Sequence, residues 1–248
     1  MELKLPPGER LYAIGDIHGM LDPLLDLLGL IDEHEANAGP AERVSEIFLG
    51  DYVDRGADSH EVIELLRQPP QNGRRRVCLK GNHEAAMLAA PHDPAAFARW
   101  LTFGGDATCR GYGIDVDRHA HNPAALQPLL LAALPETHGN FLNNLALTEK
   151  CGDVLFVHAG IRPGVAVEDQ TEEDLIWIRD PFLYFTGPLP AHVVHGHTPS
   201  RWPERRIHRT NVDTGAVYGG ALTAAVLEGD TVEFLSVPTH EMAPRRRR

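Results

Sequence analysis

Asp16 and His18 stand two residues apart in Gly15-Asp16-Ile17-His18-Gly19, where an extended backbone would turn a carboxylate and an imidazole to the same side. Four more short blocks carry donors of the same kind: Gly50-Asp51-Tyr52-Val53-Asp54-Arg55-Gly56, Gly81-Asn82-His83-Glu84, His158-Ala159-Gly160 and His195-Gly196-His197-Thr198. Asp51 has two oxygens and can bridge two ions, Asn82 offers a neutral oxygen, and His158 and His197 offer imidazoles. Mixed oxygen and nitrogen donors without thiolate suit Mn, Fe or Zn better than copper. Two divalent cations held by only two carboxylates, Asp16 and Asp51, keep a net positive charge that attracts a phosphate dianion. Such a pair can activate water and stabilise both the attacking and the leaving oxygen. Arg55 can clamp phosphate oxygens in bidentate fashion, and Arg179, in Trp177-Ile178-Arg179-Asp180, is a second candidate clamp. His83 is placed to protonate a leaving oxygen, with Asp54 holding its imidazole.

Each block follows an apolar, strand-like run and opens a Gly-bearing turn. The pattern predicts strands over Arg10 to Gly15, Ser45 to Gly50 and Arg76 to Gly81, alternating with helices over Met20 to Glu35, Ser59 to Arg67 and His83 to Ala90. Leu21, Leu24, Leu25, Leu28 and Ile31 give the first helix its apolar stripe, Pro23 suits its first turn, and Ser59 reads as the N-cap of the second. Asp16 to Asp51 is 35 positions and Asp51 to Asn82 is 31, close to one βαβ unit each. The first third therefore reads as βαβαβ with a mostly parallel sheet, whose ligands gather at the carboxyl ends of its strands. Residues 91–150 read as a helical insertion at the mouth of the site, with helices over Ala95 to Phe103, Pro123 to Ala133 and Glu136 to Asn143. Strands return at Val154 to His158, His192 to His195, Ile207 to Val212, Ala221 to Glu228 and Thr231 to Val237, the last two joined by a Glu228-Gly229-Asp230 turn. These late strands suggest a second, mixed or antiparallel sheet packed on the first. Residues 1–240 are expected to form one domain, with a basic, disordered tail over 241–248.

With 43% hydrophobic and 23% charged residues in 248, the composition is that of a globular chain with a substantial core. The net charge is −12, and −16 without the Arg245–Arg248 run, so the body is a poor match for a nucleic-acid duplex. The longest apolar run, Leu129 to Leu134, is far too short to span a bilayer. Met1 to Arg10 carries charges and no apolar stretch of signal-peptide length, so a cytoplasmic protein without a membrane partner is expected. Cys78, Cys109 and Cys151 are widely spaced and odd in number, which argues for inert thiols rather than disulfides or a thiolate metal site.

In this order and spacing, Gly-Asp-x-His-Gly, Gly-Asp-x-Val-Asp-Arg-Gly and Gly-Asn-His-Glu resemble the phosphoprotein phosphatase family of binuclear metallophosphoesterases. The likeness continues through His158-Ala159-Gly160 and Gly196-His197-Thr198 and is nearest the bacterial and phage-like branch, which includes symmetrical diadenosine tetraphosphatases. It implies a β-sandwich of two mixed sheets flanked by helices, and one-step hydrolysis by in-line attack of a metal-bound hydroxide. One metal would take Asp16, His18 and Asp51, and the other Asp51, Asn82, His158 and His197, with Mn expected ahead of Fe or Zn. Arg55, Asn82 and Arg179 would hold phosphate, and His83, oriented by Asp54, would be the general acid. The implied substrates are phosphoserine and phosphothreonine in proteins, with phosphotyrosine or small phosphorylated compounds as extensions. Symmetrical cleavage of a bis(5′-nucleosyl) tetraphosphate is the alternative. The chain departs from eukaryotic members over 211–220, where Asn211-Val-Asp-Thr-Gly-Ala-Val-Tyr218-Gly-Gly replaces their substrate-groove loop and Tyr218 could lean over the mouth.

Other residues read more simply. His195 is expected behind the metal ligands rather than among them. Glu84 suits the positive end of a helix. His119 and His121 read as exposed loop residues. Trp100 and Phe103 share a predicted helical face and read first as core packing, with stacking on a substrate ring as the other use. Gly104-Gly105 reads as a mouth loop.

Overall fold

The computed structural model describes residues 3–70 and 72–239, so the basic tail lies outside the described residues. The first third alternates as the apolar pattern predicts: β1 (Glu9–Ile14), α1 (Leu21–Asn37), β2 (Arg43–Phe48), α2 (Ser59–Leu66), β3 (Arg75–Cys78) and α3 (Asn82–Ala89). β1, β2 and β3 pair in parallel, with Ala13 beside Ile47 and Ile47 beside Val77. The next stretch is helical, with α4 (Pro94–Trp100), a π-type turn over Leu101–Gly105, α5 (Asp106–Gly111), α6 (Leu126–Ala133) and α7 (Glu136–Asn143). It stops short of the expected boundary, because Thr148–Cys151 is already a strand, β4, turned back on β5 (Val154–Val157). There follow α8 (Glu172–Trp177), α9 (Asp180–Leu183), β6 (His192–His195), β7 (Glu204–Arg205), β8 (Arg209–Asn211), β9 (Asp213–Thr214), β10 (Ala221–Glu228) and β11 (Thr231–Pro238).

The strands form two mixed sheets. One runs β11-β10-β1-β2-β3, with β9 also on β10, and the other β4-β5-β6-β8-β7. One expectation is corrected here. The closing β10–β11 hairpin does not join the later sheet but extends the first, antiparallel to β1, with Ala13 facing Ala225. Both faces of β10 find apolar partners in this position. Leu222, Ala224 and Val226 pack under α1 with Tyr12 and Ile14, while Ala225 and Leu227 face inward with Leu11 and Ala13.

The two-residue period assigns every core strand a face. Leu11, Ala13, Ile47 and Leu49 of the first sheet meet Val154, Phe156 and Val194 of the second, which makes the interior of a sandwich. Tyr12, Ile14 and Phe48 point the other way, onto Leu24, Leu27, Ile31, Val62 and Ile63 of α1 and α2. Leu155, Val157 and Val193 point outward from the second sheet onto Leu175, Ile176 and Phe182. The result is a helix–sheet–sheet–helix stack. The parallel strands β1, β2 and β3, and likewise β5 and β6, all release their chain at one edge, and the five donor blocks begin there.

Candidate metal and phosphate site

Every described non-glycine residue with a left-handed backbone lies in these blocks: His18, Asp51, Asp54, Arg55 and His197, with φ between 47° and 74°. Such conformations cost about 1–3 kcal/mol each and persist only where the surroundings over-determine them. Glu84 is one source of that constraint. It does open α3, as expected, but its buried carboxylate also accepts the backbone N–H groups of Asp51 at 2.8 Å, Tyr52 at 2.7 Å, Val53 at 3.3 Å and Gly81 at 2.9 Å. Burial beside Asp51 pushes the Glu84 carboxyl up to about 7. Ser59 corrects another expectation. It is the first residue of α2 rather than its cap, and its hydroxyl serves the Asp54 N–H at 3.1 Å.

Asp51 is the hub. Burial opposes its charge, but His158, His83, His18 and His197 around it hold the carboxyl below its usual range. Its oxygens lie 3.6 Å from His18 Nε2 and 3.4 Å from His158 Nε2. Asn82 Oδ1 is 3.0 Å from the same His158 nitrogen. Two donor groups converge within 4.8 Å: Asp51 with His158 and His197, and Asp51 with His18 and His83. Asp16 is at the site but belongs to neither group, and both its oxygens accept the His197 N–H at 3.2 Å. His158 Nδ1 faces the Leu49 carbonyl at 2.9 Å and His18 Nδ1 the Val53 carbonyl at 2.9 Å. With each Nδ1 donating there, each Nε2 is left as a lone-pair donor toward the centre. Burial pulls His18 down to about 3 and His197 down to about 2, so both rings are neutral, as metal ligation needs.

The fit to cations also shows in what is unsatisfied. His197 Nε2 and Asp213 Oδ2 are buried without a hydrogen-bond partner. Such atoms cost about 1–3 kcal/mol unless something meets them. Burial and the charges of Asp213 and Asp51 push the Asp16 carboxyl well up, and burial takes Asp213 up to about 6. Three buried carboxylates and neutral imidazoles in one place form a donor set that suits divalent cations.

His83 and Asp54 meet as expected, with Nδ1 to Oδ2 at 2.7 Å. Burial opposes the His83 charge, but Asp51 and the Asp54 contact outweigh it and raise the ring's proton affinity. Its Nε2 stays on the Asp51 side, 3.9 Å from Oδ2. Arg55 Nη1 reaches His18 Nε2 at 2.5 Å, and its guanidinium lies 5.4 Å from the Tyr218 ring centroid. Arg55, Asn82, His83, His197 and the exposed Arg179 line one cavity of about 230 Å³, rimmed by Phe103, Trp177 and Tyr218. His195 is buried behind this cavity, against the Phe182 ring and Arg209. His121 is exposed and His119 partly so. Trp100 and Phe103 part company, one fully buried and the other 39% exposed at the rim.

Sequence reasoning missed three participants. Asp213 follows an apolar residue and precedes Thr214-Gly215, the same grammar as the other blocks, and this was the signal that could have found it. Trp100 and Thr108 both bond the Asp54 carboxylate, through Trp100 Nε1 to Oδ2 at 2.9 Å and Thr108 Oγ1 to Oδ1 at 2.7 Å. Nothing local in the sequence signals that contact.

The calcineurin-like phosphoesterase family model matches residues 9–230. Serine/threonine-protein phosphatase 1 of Salmonella typhimurium is 31% identical over 229 residues, covering 88% of this chain and 92% of that protein. Bis(5′-nucleosyl)-tetraphosphatase PrpE (asymmetrical) of Halalkalibacterium halodurans is 29% identical over 248 residues, covering 92% and 93%. The crystal structure of a cold-active protein-tyrosine phosphatase of a psychrophilic Shewanella superposes with a TM-score of 0.59 at 18% identity, over 94% of this chain and 83% of that one, a likeness of fold.

Proposed function

This chain belongs to the calcineurin-like phosphoesterase family, and we propose that it is a metal-dependent phosphatase acting on phosphorylated protein side chains, phosphoserine and phosphothreonine first and phosphotyrosine beyond them. The observation that carries this reading is the convergence of Asp51, Asn82 and His197, two arginines and His83, itself bonded to Asp54, on one cavity of about 230 Å³. That volume suits a single phosphorylated side chain. In this reading Asp16, His18 and Asp51 hold one cation, and Asp51, Asn82, His158 and His197 the other, with Mn ahead of Fe or Zn. Bound there, divalent cations would activate the attacking water and neutralise charge at phosphorus. Arg55, Arg179 and the Asn82 amide orient the phosphate. His83 gives its Nε2 proton to the leaving oxygen, while Asp54 keeps Nδ1 protonated and the ring in place. The Phe103, Trp177 and Tyr218 rim offers ring surface beside the phosphate pocket, which is where phosphotyrosine would find its added contact. A cytoplasmic setting and a single domain over residues 1–240 are part of the proposal. Among the described residues no helix is long and apolar enough to cross a membrane.

One observation favours a second reading, hydrolysis of a dinucleoside tetraphosphate. Pro199 lines both this cavity and a neighbouring groove of about 530 Å³, whose walls include Tyr184, Phe185, Arg206 and Arg209. A nucleoside could extend into it. The test is a kinetic panel with Mn, Fe or Zn supplied. Faster turnover of phosphopeptides supports the first reading. Faster release of ADP (symmetrical cleavage) or of ATP and AMP (asymmetrical) supports the second. Inactivity on both classes and on aryl phosphates rejects the phosphatase assignment.

A further inference from the structure

We propose that the segment Trp100–Thr108 of the helical insertion is the positioning element for the acid and phosphate half of the site. Trp100 and Thr108 aim Asp54, and through it the His83 ring, while Gly104 sets Arg55. The inference rests on His83 being the proton donor of the proposed reaction.

Asp54 and Arg55 are consecutive left-handed residues, with φ of 74° and 70°. Holding two strained, non-glycine residues in series needs ties from elsewhere, and the insertion provides them. The Asp54 N–H donates to Thr108 Oγ1 at 2.9 Å, and the Arg55 N–H to the Gly104 carbonyl at 3.1 Å. The Asp54 carboxylate is fully buried, and among the described residues His83 is its one ion-pair partner, so neutral donors carry Oδ1 and the remaining valence of Oδ2. Oδ2 takes His83 Nδ1 and Trp100 Nε1, and Oδ1 takes Thr108 Oγ1.

The protons of this network have one arrangement. Thr108 has a single hydroxyl proton, spent on Asp54 Oδ1. In the 3.1 Å contact between Ser59 Oγ and Thr108 Oγ1, Ser59 must therefore donate. No hydroxyl is free to rotate, and the Asp54 carboxyl plane is set from two sides. With only the His83 contact remaining, that plane could turn and take the imidazole with it.

The sequence between the two donors is built for this task. Trp100 and Thr108 are eight residues apart and reach one carboxylate because the π-type turn between them breaks at Gly104, φ +104°. A Cβ at Gly104 would lie 2.7 Å from the Arg55 backbone nitrogen, and one at Gly105 would lie 2.5 Å from the Trp100 indole. Trp100-x3-Gly104-Gly105-x2-Thr108 thus forms one device, reading both the acid and the arginine. Burial in the same apolar cluster as Phe97 accounts for an indole here, but not for where its N–H points.

The test separates aiming from packing. Trp100→Phe and Thr108→Val keep apolar bulk and delete one donor each. p-Nitrophenolate leaves without a proton, whereas phenolate and serine alkoxide need one. In the variants, kcat for phenyl phosphate and a phosphoserine peptide should fall at least about tenfold further than kcat for p-nitrophenyl phosphate. Thr108→Ser should restore the wild-type ratio to within about threefold. An equal loss on all substrates, or an unchanged ratio, in variants with wild-type thermal unfolding overturns the proposal. If Trp100→Phe does not fold, the Thr108→Val and Thr108→Ser pair decides by the same ratio. A wild-type protein inactive on every phosphomonoester would sink the phosphatase reading instead. The positioning claim is then read from the His83 Nδ1–H proton resonance of Zn-loaded protein, which should be downfield in wild type and shifted or broadened in Trp100→Phe. An unmoved resonance overturns it.

Discussion

The two ends of the parallel strands both carry charged residues and treat them in opposite ways. At the amino ends, charge is paired. Arg10 meets Glu228 at 2.8 Å, Arg43 meets Glu9 at 2.6 Å, and Arg75 meets Glu149 at 2.7 Å. Glu46, almost fully buried, is held by Arg74 at 3.0 Å and Arg76 at 2.8 Å. At the carboxyl ends, Asp16, Asp51 and Asp213 crowd together, His197 Nε2 and Asp213 Oδ2 lack partners, and all the left-handed non-glycine residues described collect. On the proposed reading, cations and phosphate would complete them there. The paired end has no such need and serves stability.

Substitutions at the two ends should therefore separate activity from stability. The largest effect is expected from Asp51→Asn. It removes the hub of both donor groups and should lower kcat/KM by on the order of 10⁴-fold, about 5 kcal/mol, with loss of metal measured by elemental analysis. Full occupancy of both sites in that variant would contradict the bridging role. At the other end, Glu46→Ala takes a shared buried carboxylate from two arginines, leaving Arg74 with Asp32 and Glu35 and Arg76 with the Leu65 and Gln68 carbonyls, and should cost about 1–3 kcal/mol in urea unfolding, while kcat stays within about twofold. A large loss of kcat at native temperature would blur the contrast between the ends.

His83→Asn should lower kcat on a phosphoserine peptide by roughly 10²-fold with metal retained. Wild-type kcat on that poor leaving group would remove the ring from proton transfer. The smallest effect is expected at the amino end of β6, which His192 opens. Burial pulls His192 down to about 4, below its unfolded value of 6.5, so the fold keeps it neutral. Its contribution is complete above pH 6.5 and is lost as pH falls toward 4, because only the unfolded chain takes up the proton in that window. His192→Gln should flatten the acid slope of unfolding free energy by at most about 1.4 kcal/mol per pH unit. An unchanged slope would remove His192 from the acid sensitivity of the fold.

Much of the site was legible in one dimension because each donor sits where an apolar run meets a glycine. Strand period, βαβ spacing and donor chemistry agreed at Asp16, Asp51 and Asn82, and the parallel order of β1, β2 and β3 followed from that agreement. The edge chosen by β10 was not legible, because its alternation suits either sheet. Nor was the second task of Ser59, whose hydroxyl looks the same in a cap as in a tie to Asp54. Trp100 illustrates the limit. Composition predicts its burial, but the direction of its N–H depends on a turn whose geometry is set by contacts with Arg55, 45 residues away in sequence.

The amino-acid order alone determined which atoms could bind cations and phosphate, and that they would emerge at strand ends, since residue type and short-range periodicity are local properties. Only the folded chain decided which donors face one another, that Asp16 turns to the His197 backbone, and that a helical insertion reaches back to Asp54. Those outcomes depend on how sheets and helices settle against each other, a balance of long-range contacts that no short window of sequence encodes.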